Sequence, residues 1–381
     1  MKSLIVNILL MAYAFSGTDL YVKYNGKSNN YNTVQEAVNK AAEINPKSES
    51  ERVTIHIAPG TYRQQIIVKT PYITFINDDT SNDVLLTWYY ARGYKYYSAN
   101  EMGYYDSNLA QKKESKHAGR YRWGATVQIF PEASYFKAKN IVFENSFNRY
   151  LTTEEIDDGV EILGDPTDSP IDVPRVPNLD VKSAAATERG AALAIDAPYG
   201  EFLNCKFYSS QDTLFTGGSP LYFKKCLIEG QTDYIFGESN TVFDSCELRW
   251  KGYSTGSLPG FITAARTCEG TYTGYLMYNC KVTKNKALTV TPGYLGRPWR
   301  DTAKVMFINT VLEEGTIVPE GWDEMNGVPP ETIEGFKEYG TKLENGAPVS
   351  LSQRKGHVVS KSDAERINII NYMNNWTPSF M

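Results

Sequence analysis

Between residues 200 and 250 the chain marks time. Cys205, Cys226 and Cys246 follow one another at intervals of 21 and 20 residues, each three residues after a phenylalanine: Phe202, Phe223 and Phe243. A period in the low twenties is the signature of a solenoid in which each repeat is one turn of chain stacked on the last. The same template extends outward as Phe136…Asn140, Met277…Cys280 and Met306…Asn309. The intervals 140→205, 246→280 and 280→309 exceed one turn, so they require inserted loops or an unmarked extra turn. Strands at such spacings, without helical crossovers, favour an all-β parallel β-helix over a sandwich or a βαβ sheet.

The ends of the chain fit that architecture. Thr33 and Glu36 form a capping-box pattern ahead of Val34, Ala37, Val38 and Ala41, which share one helical face. A short helix there would cover the first open edge of the solenoid. Alternation over Val53–Ile57 predicts a strand with His56 pointing outward, and strand-like runs follow at Ile66–Val68 and Ile73–Ile76. Ser362 and Glu365 predict a second capped helix carrying Ile367, Ile370 and Met373 along the outside of the coil. Asn375-Trp376-Thr377 is a glycosylation sequon weakened by Pro378.

Two segments interrupt the repeat. Trp88 to Tyr105 carries seven tyrosines, among them Tyr89, Tyr90, Tyr94 and Tyr96, suited either to stacking on sugar rings or to packing the insertion onto the barrel. Thr152 to Asp180 is acidic and proline-rich and reads as a long surface loop.

At the start, Lys2 precedes an apolar run from Leu4 to Leu10 and small residues at Ala12, Ala14, Ser16 and Gly17. This pattern predicts a secretory signal over residues 1–16 and a single secreted domain over 17–381, a buried N-terminal strand being the alternative. The apolar run is too short to span a bilayer, so no membrane association is expected once the signal is cleaved. The net charge of −5 argues against nucleic-acid binding, and an anionic substrate would require local positive charge. His56, His117 and His357 are scattered, which disfavours a histidine triad or a histidine-rich metal site. The five cysteines contain no CxxC motif; stacking of Cys205, Cys226 and Cys246 in the interior predicts mostly free, buried thiols. A monomer is expected.

The chemistry concentrates on two aspartates that share the period. Asp212, in Ser-Gln-Asp-Thr-Leu, and Asp233, in Thr-Asp-Tyr-Ile-Phe-Gly, are 21 residues apart. On neighbouring turns their backbones would lie roughly 4.8 Å apart, close enough for paired carboxylate chemistry. Singly, Gln211-Asp212-Thr213 is also compatible with a polar turn, and Asp233 with an arginine-paired structural carboxylate.

Taken together, Gln211-Asp212-Thr213-Leu214, Asp233-Tyr234-Ile235-Phe236-Gly237 and Gly296-Arg297-Pro298-Trp299 resemble, in order and spacing, the signatures of pectin methylesterases. Gly60-Thr61-Tyr62 resembles an early motif of that family, and the resemblance spans roughly residues 18 to 377. It implies a right-handed parallel β-helix that removes methyl esters from polygalacturonate (pectin) without a metal or other cofactor. It also implies roles: Asp233 as nucleophile, Arg297 orienting it, Asp212 as general acid and base, and Gln211 as oxyanion donor. Trp299, Phe236 and Tyr234 would contact the sugar. A hydrolase without a catalytic histidine needs this set of a nucleophile, a proton donor for the leaving alkoxide and an oxyanion donor.

The sequence departs from the family in three places. Arg189 stands where a second oxyanion glutamine is expected, about one turn before Gln211; it would either donate to the oxyanion or pair with Glu188 and leave the site. Gln64 replaces a glutamate and Ser210 a tyrosine. The rival readings are another β-helix enzyme, a pectate lyase or polygalacturonase, and a polysaccharide-binding relative with an inactive site.

Overall fold

The computed structural model describes residues 17–100, 106–112, 121–162, 173–256, 258–270 and 273–381. The expected signal at residues 1–16 lies outside them, as do Tyr104 and Tyr105. Three parallel sheets wrap one elongated core as a right-handed parallel β-helix, with twelve, nine and seven strands among the described residues. One complete turn runs through Gly200–Leu203 in the first sheet, Lys206–Tyr208 in the second and Leu214–Thr216 in the third. The next repeats it as Leu221–Lys224, Leu227–Gly230 and Ile235–Gly237, every strand pairing in parallel with its predecessor.

The periodic residues form the core of the coil. Phe202, Phe223, Phe243, Met277 and Phe307 are in register along the first sheet. The rings of Phe202 and Phe223 stack at 4.5 Å, and those of Phe223 and Phe243 at 4.9 Å. Each buried ring contributes roughly 1.5–3 kcal/mol relative to exposure. The outer members of the repeat are shifted from the sequence template, because Ala138 opposes Phe202 where Phe136 was expected, and Phe307 opposes Met277 where Met306 was expected. Asn140 and Asn309 correspondingly occupy the corner before the cysteine position, in register with Asn204, Lys225, Ser245 and Asn279. All six corner residues are left-handed, with φ between 52° and 59°. Asparagine adopts that conformation at little cost. Cys205, Cys226, Cys246 and Cys280 follow their corners as free, buried thiols, while Cys268 is half-buried elsewhere.

The long intervals are insertions, since the strands on either side of each pair directly. In the tyrosine-rich segment that follows Trp88, Tyr89, Tyr90, Tyr94 and Tyr96 are buried with Trp88 and Phe147, so these tyrosines pack the insertion rather than present sugar platforms. The described parts of the acidic segment fold against it. Glu161–Ile162 pairs antiparallel with Tyr94–Lys95, and the buried Arg175 donates to Glu155 at 2.8 Å.

Val34–Ile44 forms the expected helix, with the reciprocal Thr33/Glu36 capping box and the four anticipated apolar residues buried. His56 points outward between Asp19 and Asp78. At the other end the cap is Ser360 rather than Ser362, and the single expected helix is two short ones, Lys361–Glu365 and Ile369–Tyr372, the second capped by Asn368. They lie on the outer face of the first sheet, over Tyr222, Val242, Leu276 and Ile308. No helix among the described residues is long and apolar enough to cross a membrane.

One buried group works against this packing. The Lys251 amine has no hydrogen-bond partner, and burial, aided by Arg149, pushes it from 10.5 down to about 8. Because the folded value lies below the unfolded one, the cost of burying the charge is full below about pH 8. It fades as pH rises toward 10.5, and amounts to on the order of 3 kcal/mol. Lys251→Met is therefore expected to raise the calorimetric melting temperature at pH 7, with a gain that shrinks by pH 10. A gain equal at both pH values would contradict this account.

Candidate active site

The third sheet sets the site. Leu214–Thr216 and Ile235–Gly237 are paired neighbours, and Asp212 and Asp233 each sit two residues ahead of their strand. Both aspartates are left-handed, with φ of 62° and 50°. Such a residue breaks the strict in–out alternation of a strand, and aspartate tolerates it better than most. The backbone locks the two turns together here. Gln211 bridges Arg189 on one side and Thr232 on the other, the Asp212 amide donates to the Thr232 carbonyl at 3.0 Å, and that of Leu214 to Tyr234 at 2.9 Å.

Both carboxylates are buried at the floor of a cleft of about 170 Å³, bordered by Gln211, Arg189, Arg297, Phe236 and Trp299. Arg297 grips Asp233 through two parallel bonds, Nε to Oδ1 at 2.8 Å and Nη2 to Oδ2 at 2.6 Å. Its guanidinium lies 4.0 Å from the Phe261 ring centroid, which fixes the plane of the fork. Burial raises the Asp233 carboxyl above its ordinary value, and Arg297 opposes that rise. Asp212 is pushed up much further, by burial first and then by the Asp233 charge, with Glu188 adding to the effect and Arg189 and Arg92 opposing it. Of the two carboxyls, Asp212 is therefore the one whose surroundings favour the proton more strongly.

Arg189 keeps both positions open to it. Its Nε and its backbone amide donate to Glu188 Oε1 at 3.0 and 2.7 Å, yet its side chain still lines the cleft beside Asp212. Phe236 and Trp299 join Phe215 and Trp123 in an aromatic cluster on the outer face of the third sheet. Tyr234 does not belong to the cleft. Its ring is fully buried inside the coil, edge-on to Trp250 at 5.5 Å, because the left-handed Asp233 turns the next side chain inward. Trp123, Arg92 and Met325 line the cleft without having been signalled by the sequence. Trp123 and Arg92 arrive from the long insertion, with the Arg92 guanidinium 4.4 Å from the Trp123 ring centroid, and Met325 arrives from a late loop. None of the three shares the solenoid period or a motif.

The match to the Pectinesterase family model covers residues 178–375, slightly more than half of the chain. Pectinesterase 1 of Olea europaea is 30% identical over 332 residues, spanning 86% of this chain and 72% of its own. The chain belongs to the pectinesterase family. By class it is a carboxylic ester hydrolase. Pectinesterase 31 of Arabidopsis thaliana is 27% identical over 318 residues, covering 82% of this chain and 79% of its own. Among solved folds, the pectin methylesterase PemA of Erwinia chrysanthemi superposes with a TM-score of 0.67 at 20% identity, covering 96% of this chain and 99% of that one. The carrot pectin methylesterase gives 0.65 at 20% identity, covering 94% of both.

As a pectinesterase-family fold, the site depends on one ion pair to keep Asp233 charged. Arg297→Met should raise the Asp233 pKa beyond its present position, because burial would then act without the guanidinium that opposes it. Carboxyl-carbon NMR titration of the variant reads this directly, and an unchanged Asp233 titration would show that Arg297 does not hold the charge.

Proposed function

We propose that this pectinesterase-family protein hydrolyses the methyl esters of polygalacturonate to pectate and methanol, with Asp233 as nucleophile and Asp212 as general acid and base. The observation that carries the reading is the unequal pair: an arginine-clamped carboxyl beside a second one that makes no such contact and whose burial favours its acid form. Membership of the family and the names of the relatives, all pectinesterases, support the reaction class and the substrate.

In the first step an Asp233 oxygen attacks the ester carbonyl carbon. Negative charge develops on the carbonyl oxygen, where the Gln211 carboxamide, lining the cleft, donates a hydrogen bond. The carbon–methoxy bond then breaks as Asp212 gives its proton to the departing oxygen, releasing methanol and leaving an anhydride between Asp233 and the uronate. Asp212, now ionised, takes a proton from water as the water oxygen adds to the same carbon. Cleavage of the anhydride returns Asp233 as a carboxylate and Asp212 in its acid form. Trp299 and Phe236 supply an apolar wall for the sugar ring. Secretion directed by residues 1–16, a single catalytic domain over 17–381 and action as a monomer are part of the same proposal.

Incubation with methylated pectin, followed by assays for methanol, unsaturated ends and reducing ends, separates the alternatives. Methanol alone is expected. Unsaturated ends would indicate a lyase, new reducing ends a glycosidase, and binding without any product an inactive relative. Asp233→Ala should abolish methanol release with the fold retained, and Gln211→Ala should slow it by on the order of 10²–10³. Activity should follow a bell in pH, lost on the acid side as Asp233 is protonated and on the alkaline side as Asp212 loses its proton.

A further inference from the structure

Arg189 stands where the family pattern carries a glutamine, and its pairing with Glu188 is not built as a surface ion pair. Glu188 is 2% exposed. Its backbone is clamped by Asn148, whose Oδ1 accepts from the Glu188 amide at 2.9 Å and whose Nδ2 donates to the Glu188 carbonyl. One oxygen of the Glu188 carboxylate then receives both the backbone amide and the Nε of Arg189. The result is a guanidinium held from behind, on the turn directly before Gln211, with the cleft in front of it. The Arg189 carbonyl is held as well, accepting from the Arg92 amide at 2.8 Å. A buried carboxylate with such a fixed backbone is an expensive way to neutralise an arginine that could have pointed to solvent.

We propose that Glu188 is a positioning residue that holds the Arg189 guanidinium at the second oxyanion position, so that a cation there replaces a neutral amide. The inference rests on the esterase reading above and deepens it. A guanidinium at that position strengthens the stabilisation of negative charge on the carbonyl oxygen as the tetrahedral intermediate forms, since a charged donor binds an anion more strongly than a neutral one. It also faces Asp212, which sits among Asp233, Glu188, Arg92, Arg189 and Arg297. Arg189 favours the ionised form of Asp212 and Glu188 opposes it, so the two members of the pair pull the proton on Asp212 in opposite directions.

Four variants test this by methanol release against pH: Arg189→Ala, Arg189→Gln, Glu188→Gln and the double variant E188Q/R189M, each checked for an intact fold by circular dichroism. Arg189→Ala is expected to lower kcat by about 10² with KM changed little, the cost of one oxyanion donor. Glu188→Gln should lower kcat by about tenfold, which corresponds to about 1.4 kcal/mol of lost positioning. The alkaline limb of kcat/KM should move to higher pH in Arg189→Gln, where the opposing cation is gone, and to lower pH in Glu188→Gln, where the raising anion is gone. If Arg189 merely neutralises Glu188, the uncharged E188Q/R189M variant, which has no donor at that position, will recover wild-type kcat, and that result overturns the proposal; a double variant no faster than Arg189→Ala supports it. A wild-type protein that releases no methanol removes the esterase reading and this one with it.

Discussion

The parallel hydrogen-bond ladder between successive turns is the constraint on which everything else in this molecule depends. It fixes Leu214 against Ile235 in the third sheet and Phe202 against Phe223 in the first, and so converts a sequence interval into a distance. A slip of one residue would send the stacked phenylalanines outward and the aspartates inward. The register is protected from such a slip by the left-handed corners, which recur at the same place on six successive turns. The ladder thereby delivers two carboxyl groups to one cleft at no cost beyond that of folding the coil.

Delivery alone would give two equal acids. What distinguishes them is the asymmetric placement of arginine: Arg297 makes two direct bonds to Asp233, whereas Arg189 and Arg92 act on Asp212 only through space. The protein as a whole carries a charge of −5, so the three arginines lining this cleft are a local reversal of sign. They suit it to an anionic polymer, and they counter part of the cost of burying two carboxyl groups side by side. The difference between the two carboxyls is thus set by one bidentate contact against a background of shared burial.

Much of this was legible in the chain. The period, the capping box at Thr33, the strand at Val53–Ile57 and the stacked thiols all follow from local pattern, because each solenoid turn contacts mainly its neighbours. Where pattern failed, a longer-range cause took over. The offsets at Ala138 and Phe307 arise because Asn140 and Asn309 hold the left-handed corner rather than the cysteine position, so the core residue in register lies two residues before each of them. Tyr234, which the resemblance placed against the sugar, lies inside the coil because Asp233 ahead of it is left-handed, a turn of the backbone that no residue pattern announces. The C-terminal helices divide at Asn368, whose side chain caps the second of them, a choice that local sequence offers but only packing over Tyr222 and Leu276 selects.

The walls of the cleft lay furthest from sequence reasoning, and the reason is architectural. Trp123 meets Phe236 at 5.1 Å and Trp299 at 5.9 Å, so an inserted segment contributes a ring to a cluster otherwise built from the third sheet. Arg92, stacked on that ring, also donates its amide to the carbonyl of Arg189 and so ties the insertion to the reactive turn. Nothing in the ladder requires either residue, since the strands flanking the insertion pair directly across it. The solenoid therefore separates two tasks physically. Its repeating turns hold the two carboxyls, whose spacing cannot vary without breaking register, while the insertions supply walls whose shape and charge can change without disturbing a single strand pair. On the mechanism proposed above, the reacting carboxyls keep the period, and the residues that interrupt it shape the cleft around them.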